Sequence, residues 1–499
     1  MSPRASAVWA ALAAAGCGVL HATSFAPSSA WWLQLLSLAA LAALVLRARP
    51  AQAALRGFAF GLGWLAVGLW WLYISLHDYG GLAPPLAAGA VLLLAAFLSL
   101  YPAAAMAAWA ALPAHPSLRV GLFACVWLAS ELARATWFTG FPWIASGYAH
   151  TQGPLAAWAP WVGVYGISFL AAGMAGALAV AGVSWGRRRW AWLGGIALLL
   201  AAGSLLPQRF TQAVGTLQVT LLQPNVPQSQ KFDPALIERN LDALLGQMEA
   251  ATTPLVISPE SVLPVPMSHL QPESVERMLK ASAQRVIWLG TFLGSNEEGW
   301  VNSMRALNEG AAVHDYGKRH LLPFGEFIPP GFAWFVRLLN IPIDSQASGS
   351  HQQPLEVGGL RLRPLICYED LFGEDFVASA VDGPDAAHVF VNTSNLAWFG
   401  RYMVQDQHLQ FSQMRALEFQ RPFVRSTNTG ATAHVDHEGR VLARLPALER
   451  GALVVTVEGR SGSTPYARWL HLAGLWPLWA LALLPLLGLA LLRRRQRAP

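Results

Sequence analysis

The chain has 499 residues, of which 54% are hydrophobic and 12% charged, and a formal net charge of +6. That mixture is too apolar for an ordinary soluble protein and marks a membrane protein, at least in part. The basic excess sits in the flanks: residues 1–209 hold ten Arg and two acids, residues 463–499 hold five Arg and no acid, and residues 210–462 hold 19 basic and 26 acidic side chains. Such a division reads as membrane anchoring and argues against a nucleic-acid partner.

A helix needs roughly 20 apolar residues to cross a bilayer core. Eight stretches qualify as expected spans: about 6–24, 30–47, 57–76, 84–112, 118–136, 158–185, 190–207 and 469–492. The sequence therefore divides into a membrane domain at 1–209 with seven helices, a polar domain at 210–462, and a last helix with a basic tail at 463–499. Arg47, Arg49, Arg56, Arg119, Arg187, Arg188, Arg189 and the arginines after 492 fall in alternate loops and at the C-terminus. By the positive-inside rule those segments and both termini are cytoplasmic, and the polar domain faces outward. Arg134 and Arg468 fall on the opposite side, at span ends where a long side chain reaches the interface cheaply.

The outer loop 134–161 is crowded with Trp, Phe, Tyr and Pro, as in an interfacial aromatic belt or the rim of a lipid-binding cleft. Glu131 is the one acid inside a span; Arg134, three residues on, makes a local ion pair its simplest account.

The polar domain alternates short β-rich runs with helical ones. Strands are expected at 216–223, 254–258, 285–290, 301–307, 360–366, 388–392, 422–426, 430–436 and 452–457. Helices are expected at 233–250, where Asp233 is placed to cap and Pro234 to start, at 272–284 and at 407–420. Many strands with interspersed helices point to an α/β sandwich.

Three residues at or after strand ends stand out, because the carboxyl edges of open α/β sheets are where ligands and catalysts gather. Glu260 follows "PLVIS", Lys318 lies in "YGKRHLLPFGEF", and Cys367 ends "LRLRPLI" just before Tyr368, Glu369 and Asp370. Each also has a plain structural account: a helix cap for Glu260, a solvated turn for Lys318, a small buried hydrophobe for Cys367. Usage favours Lys318, since the chain has three Lys against 31 Arg; the other two, Lys231 and Lys280, lie in polar stretches. Cys17 and Cys125 lie in apolar segments, which leaves Cys367 as the only thiol of the polar domain and rules out a disulfide within it. With no CxxC and no HExxH, neither a metal nor a cofactor is expected.

The order Glu…Lys…Cys in "SPE", "GKRHLLPFGEF" and "CYED", followed by "NTSNLAWFG", resembles the carbon–nitrogen hydrolase (nitrilase) superfamily. With apolar spans on both sides, "QPNVPQSQKFDP" at 223–234 and "FTGFPW" at 138–143, the whole chain resembles the apolipoprotein N-acyltransferases of the Gram-negative inner membrane. The resemblance implies a polytopic α-helical membrane domain plus a periplasmic α-β-β-α sandwich. It implies Glu260 as general base, Lys318 as electrostatic stabiliser and Cys367 as nucleophile, with Glu326 as a second carboxylate of the site. Tyr368 would supply a backbone donor and Glu369 would orient the site. The implied partners are a phospholipid donor, most simply phosphatidylethanolamine, and a diacylglyceryl apolipoprotein acceptor. Ser258, Phe232 and Leu396 depart from the family pattern, which usually has Trp at the first two positions and "NDAWFG" around the third; these departures bear on the acyl pocket.

Phe232, Trp334, Phe335 and Trp398 are expected lipid contacts. The apolar stretch 327–343 reads either as an arm dipping into the interface, with Phe332, Trp334, Phe335, Leu338 and Leu339 facing lipid, or as a helix packed on the domain. Two other readings of the whole chain are a membrane-tethered amidase or nitrile-type hydrolase and a transporter with an outer sensor domain. The second would place ionisable residues near mid-bilayer, where these spans have none.

Overall fold

The computed structural model describes residues 3–112, 115–295, 297–329, 331, 333–334, 345–350 and 353–497. The chain forms two compact units, one of Met1–Tyr73, Ala83–Gln208 and Leu472–Pro499, the other of Ile74–Leu82 and Arg209–His471.

The first unit is helical. Each expected span falls on a helix or a bent pair of helices, though not every one of these helices is by itself long and apolar enough to cross a membrane. Among the described residues three helices are long and apolar enough, Ala5–Ala22, Pro84–Ala111 and Pro154–Val183, or five if two bent pairs each count as one span. The physical reasons are visible along the chain. Trp31–Val45 has only 15 residues, the third and eighth expected spans are broken, and the helices Pro116–Thr136 and Arg187–Leu205 carry charges.

The aromatic loop after Thr136 turns inward. Trp143, Tyr148 and His150 are buried, and only Trp137 and Phe138 at its start keep the exposure expected of an interfacial belt. Irregular backbone in apolar surroundings must have its polar groups satisfied. Glu131 and Arg134, expected as a local ion pair, meet that need. Glu131 Oε1 accepts from the Ser146 N–H at 2.8 Å and the Ser146 hydroxyl at 2.7 Å. Arg134 Nη1 donates to the carbonyls of Phe141 at 2.7 Å and Trp143 at 2.8 Å.

The second unit contains twelve strands among its described residues: β1 (Thr211–Gln223), β2 (Leu255–Ile257), β3 (Val286–Ser295), β4 (Gly299–Asn308), β5 (Ala311–Gly317), β6 (Leu355–Val357), β7 (Leu360–Ile366), β8 (Val389–Ser394), β9 (Phe423–Thr427), β10 (Ala433–Val435), β11 (Val441–Arg444) and β12 (Gly451–Gly462). They form two six-stranded sheets, ordered β12-β1-β2-β3-β4-β5 and β11-β10-β9-β8-β7-β6. β1, β2 and β3 run parallel in the first sheet and β7, β8 and β9 in the second; the outer pairings are antiparallel.

Side chains alternate across each sheet. The inward residues of the first sheet include Val219, Leu221, Ile257, Trp288 and Met304, which meet Leu362, Ile366, Val389, Val391 and Val424 of the second in one buried core. Each such side chain contributes about 1.5–3 kcal/mol by leaving water. Val256, Ile287 and Leu289 point the other way and pack beneath the helices Pro234–Ala250 and Pro272–Ala281 through Leu241, Leu245, Met248 and Met278. Helix Val404–Phe419 lies on the second sheet, its Phe419 ring against Phe376 and Phe390. The result is the expected α-β-β-α sandwich.

Helix Pro234–Ala250 starts as expected, with Asp233 Oδ1 accepting from the Ala235 N–H at 2.9 Å and proline at its first turn. Three strands lie outside the expected set: β5, β6 and β11. β5 reads "AAVHDYG", whose apolar run is only three residues long. It forms because Asn308 pairs with Ala311 across a two-residue turn, Glu309–Gly310, in which both residues have positive φ. That is the turn whose twist suits a hairpin.

Candidate active site

The chemistry-bearing residues follow the C-terminal ends of strands in both sheets. Glu260 comes three residues after β2, Lys318 directly after β5, Cys367 directly after β7 and Asn395 directly after β8. The turn carrying Glu260 lies flat against β3 because position 290 is glycine: a Cβ there would stand 2.1 Å from the Pro259 carbonyl oxygen. Ser258 fits the same contact, its hydroxyl donating to the Trp288 carbonyl and accepting from the Gly290 N–H, both at 3.2 Å.

Lys318 is 1% exposed, and its ammonium stands between two carboxylates, 2.7 Å from Glu326 Oε1 and 3.6 Å from Glu260 Oε1. Burial works against its charge, but Glu326 and Glu260 outweigh burial and hold the ammonium well above the ordinary lysine range. Glu260 is fixed by two further donors, Asn302 Nδ2 at 2.7 Å and the Asn395 N–H at 2.8 Å. Glu326 is fixed by a tight turn through Phe324, which has φ 60°, and by the Leu322 N–H at 2.8 Å. A carboxylate held by two donors beside a buried cation is positioned for charge work without reorganisation.

Cys367, the first residue after β7, has a left-handed conformation, φ 52°, which L residues avoid. Its thiol interacts electrostatically with Lys318, Glu260 and Glu326. Burial first, then the Glu260 charge, pushes the thiol well above its ordinary value, while Lys318 pulls it down. The resting thiol is therefore protonated, and a base must remove its proton before the sulfur can attack.

Glu369 lies within electrostatic reach of Lys318, but its hydrogen bonds go elsewhere. Its carboxylate accepts from the Tyr316 hydroxyl at 2.8 Å, the Arg319 N–H at 2.8 Å and the Ile366 N–H at 2.7 Å. It thereby ties the turn after Lys318 to the strand end before Cys367, a positioning role. Tyr368 is buried, its ring packed against Phe372 and His320.

Of the expected lipid contacts, Phe232 is 49%, Trp334 60% and Trp398 37% exposed, with Trp398 edge-on to Tyr79. Phe335 lies outside the described residues, as do Phe332, Leu338 and Leu339 of the expected arm. Leu396 is buried.

Sequence reasoning passed over Asn302 and Asn395, because a neutral amide at a strand end carries no signal of its own. It also placed Lys231 in a polar stretch, whereas Lys231 is 5% exposed with its ammonium 2.7 Å from the Ser261 hydroxyl. Burial pulls this ammonium down to about 8, the Glu260 charge opposing. The unfolded chain, with lysine near about 10.4, holds that proton more tightly, so the cost of burying the charge is full below about pH 8 and fades as pH rises to about 10.4. Lys231→Met should remove this rise. Allowing for the lost hydrogen bond to Ser261, the variant should be about 2 kcal/mol more stable than the parent near neutral pH. Thermal unfolding in detergent across that pH window measures both; an unchanged pH slope would contradict the assignment.

Residues 17–177 match the family model described as apolipoprotein N-acyltransferase N-terminal domain, and residues 219–466 match the one described as carbon-nitrogen hydrolase. The chain is 44% identical to an apolipoprotein N-acyltransferase from Ralstonia nicotianae over 510 residues, 99% of this chain and 95% of that one. It is 44% identical to one from Verminephrobacter eiseniae, covering 94% and 93%, and 43% identical to one from Bordetella bronchiseptica, covering 97% of each. Likeness at this level across nearly the full length, together with the sandwich and its strand-end cluster, makes the chain a member of the apolipoprotein N-acyltransferase family with a carbon–nitrogen hydrolase domain.

Proposed function

We propose that the protein transfers an acyl chain from a membrane phospholipid to the α-amine of an apolipoprotein's N-terminal S-diacylglyceryl cysteine, by way of a thioester on Cys367. The observation that carries this reading is the convergence of a thiol, two carboxylates and a buried ammonium at the strand ends of a membrane-protein family member.

Glu260 takes the Cys367 proton, and the sulfur attacks the ester carbonyl, with phosphatidylethanolamine and its sn-1 chain as the simplest donor. The oxyanion so formed is stabilised by Lys318. The C–O bond breaks, Glu260 returns the proton to the leaving oxygen, and a lysophospholipid departs. The acceptor amine then attacks the thioester, Glu260 takes a proton from it, and the regenerated thiolate receives that proton as the amide forms. Glu326 keeps Lys318 in place, and Glu369 keeps the two loops in register. Water must be excluded during the thioester's lifetime, or the product is a free fatty acid.

The arginine-rich loops support an orientation in the bacterial inner membrane with the catalytic domain, about residues 210–462, in the periplasm and both termini cytoplasmic. Mass spectrometry of the purified protein offered phospholipid tests the reaction. An acyl adduct on Cys367 that is discharged by a diacylglyceryl peptide is expected; discharge by water alone would make the protein a hydrolase, and absence of the adduct would remove the thioester.

A further inference from the structure

The side chains of Glu260 and Lys318 act on the Cys367 sulfur, but neither holds its backbone. That backbone needs holding, because φ 52° costs an L residue roughly 1–2 kcal/mol. Two side chains bind the Cys367 carbonyl: Asn392 Nδ2 from β8 at 3.0 Å and His408 Nε2 from helix Val404–Phe419 at 3.1 Å.

The surroundings of His408 fix which ring nitrogen donates. On one side Nδ1 lies 2.9 Å from Arg425 Nη2, and a guanidinium only donates, so Nδ1 presents its lone pair. Nε2 must then carry the proton, which it shares between the Cys367 carbonyl and Asp370 Oδ1, the latter at 3.1 Å. Arg425 is locked in turn. Its Nη1 donates to Asp370 Oδ2 at 2.9 Å and to the Ser412 hydroxyl, which itself donates to Asp370 Oδ2 at 2.6 Å. His408, Asp370, Ser412 and Arg425 are all fully buried. The charged and titratable groups bearing on this knot are Asp370 after β7, Arg425 on β9, the Cys367 thiol and Arg444 on β11. A buried network in which each donor meets an acceptor is rigid, and rigidity is what a strained turn requires.

We propose that His408, clamped as the Nε2–H tautomer between Arg425 and Asp370, is a positioning residue that holds the Cys367 backbone in its left-handed turn and so aims the thiol. The assignment rests on the reading of Cys367 as nucleophile. It gives the nucleophile a support from the second sheet, independent of the Glu369 tie from the first.

The test uses the full-length protein in detergent, with His408→Leu and His408→Gln. Two quantities are read: the rate at which iodoacetamide alkylates Cys367, followed by mass spectrometry of its peptide from about pH 6 to 9, and kcat and KM for transfer from phospholipid to a diacylglyceryl peptide. For His408→Leu, alkylation and kcat should fall together by about 100-fold, with KM changed less than about twofold, as for misplacement of a reacting group. Gln, whose amide still donates at similar reach, should recover about tenfold of both. Parent-like alkylation in the Leu variant, or a fall in kcat without a fall in alkylation, overturns the proposal. Loss of folding in Leu and Gln alike would mark a structural residue and overturn it too. Should only the Leu variant fail to accumulate, His408→Asn replaces it, its amide being too short to reach the carbonyl; equal alkylation of the Asn and Gln variants then overturns the proposal. If Cys367→Ala still transfers acyl chains, the reading of Cys367 fails first, whatever His408 does.

Discussion

Cys367→Ala should abolish both the acyl adduct and transfer to the peptide while the protein still folds and inserts. The expectation of an intact fold has a structural reason. The cost of φ 52° is the same for alanine as for cysteine, because both carry a Cβ, so the exchange alters the chemistry and leaves the backbone energetics alone. Cys367→Gly makes the complementary point. It should be equally inactive, yet more stable than the alanine variant by roughly 1 kcal/mol, since glycine adopts the left-handed region freely and loses only part of that gain to its greater unfolded-state entropy. Paired measurements of transfer and of thermal unfolding decide the matter. Residual turnover in either variant would mean that the amine attacks the phospholipid ester directly, and a glycine variant no more stable than the alanine one would mean that the turn is not strained.

Lys318→Met should cost both activity and stability. In the folded protein the ammonium stands within hydrogen-bonding or ion-pair distance of two nearly buried carboxylates. Removing one donor to a developing oxyanion costs about 10²–10³ in kcat. Here the same cation also steadies the thiolate, so a fall in kcat/KM of at least about 10³-fold is expected. The methionine leaves Glu260 and Glu326 facing each other without their counterion, and breaking a buried pair in this way destabilises by about 3–5 kcal/mol. The sign of the pH dependence follows. The ammonium of the parent sits above the ordinary lysine range, so its contribution to stability is full throughout the neutral range and is lost only as pH rises past about 10.4 and through that elevated value. The variant lacks that group, so the gap between parent and variant should stay constant through the neutral range and narrow only above about pH 10.4. Unfolding midpoints for parent and variant across that range measure the effect. A variant as stable as the parent at neutral pH would show that the carboxylates do not need the ammonium.

Much of the fold was legible because its signals are local. The division into apolar flanks and a polar middle follows from composition; Asp233 and Pro234 announce a helix; and "LRLRPLI" announces a strand that Cys367 directly follows. Glu260, Lys318 and Cys367 are marked in the sequence by their positions at or after strand ends. β5 was less visible, because the apolar run of "AAVHDYG" is only three residues long and the strand owes its conformation to a turn and to a partner strand. Hydropathy along a segment does not register bends, short helices or charges held by a neighbouring loop, which is why the helices on the expected spans differ in length and straightness.

The sequence by itself determined the order of elements, the class of architecture and the residue types available for chemistry, because periods of 2 and 3.6 are written into neighbouring residues. Only the tertiary structure decided which polar groups meet. Asn395 reaches Glu260 across 135 residues, Tyr316 reaches Glu369 across 53, Arg425 reaches Asp370 across 55, and Lys231 is buried by elements far from its own segment. The physical reason is that a hydrogen bond depends on distance and direction in space to within tenths of an ångström, and no local pattern carries that information.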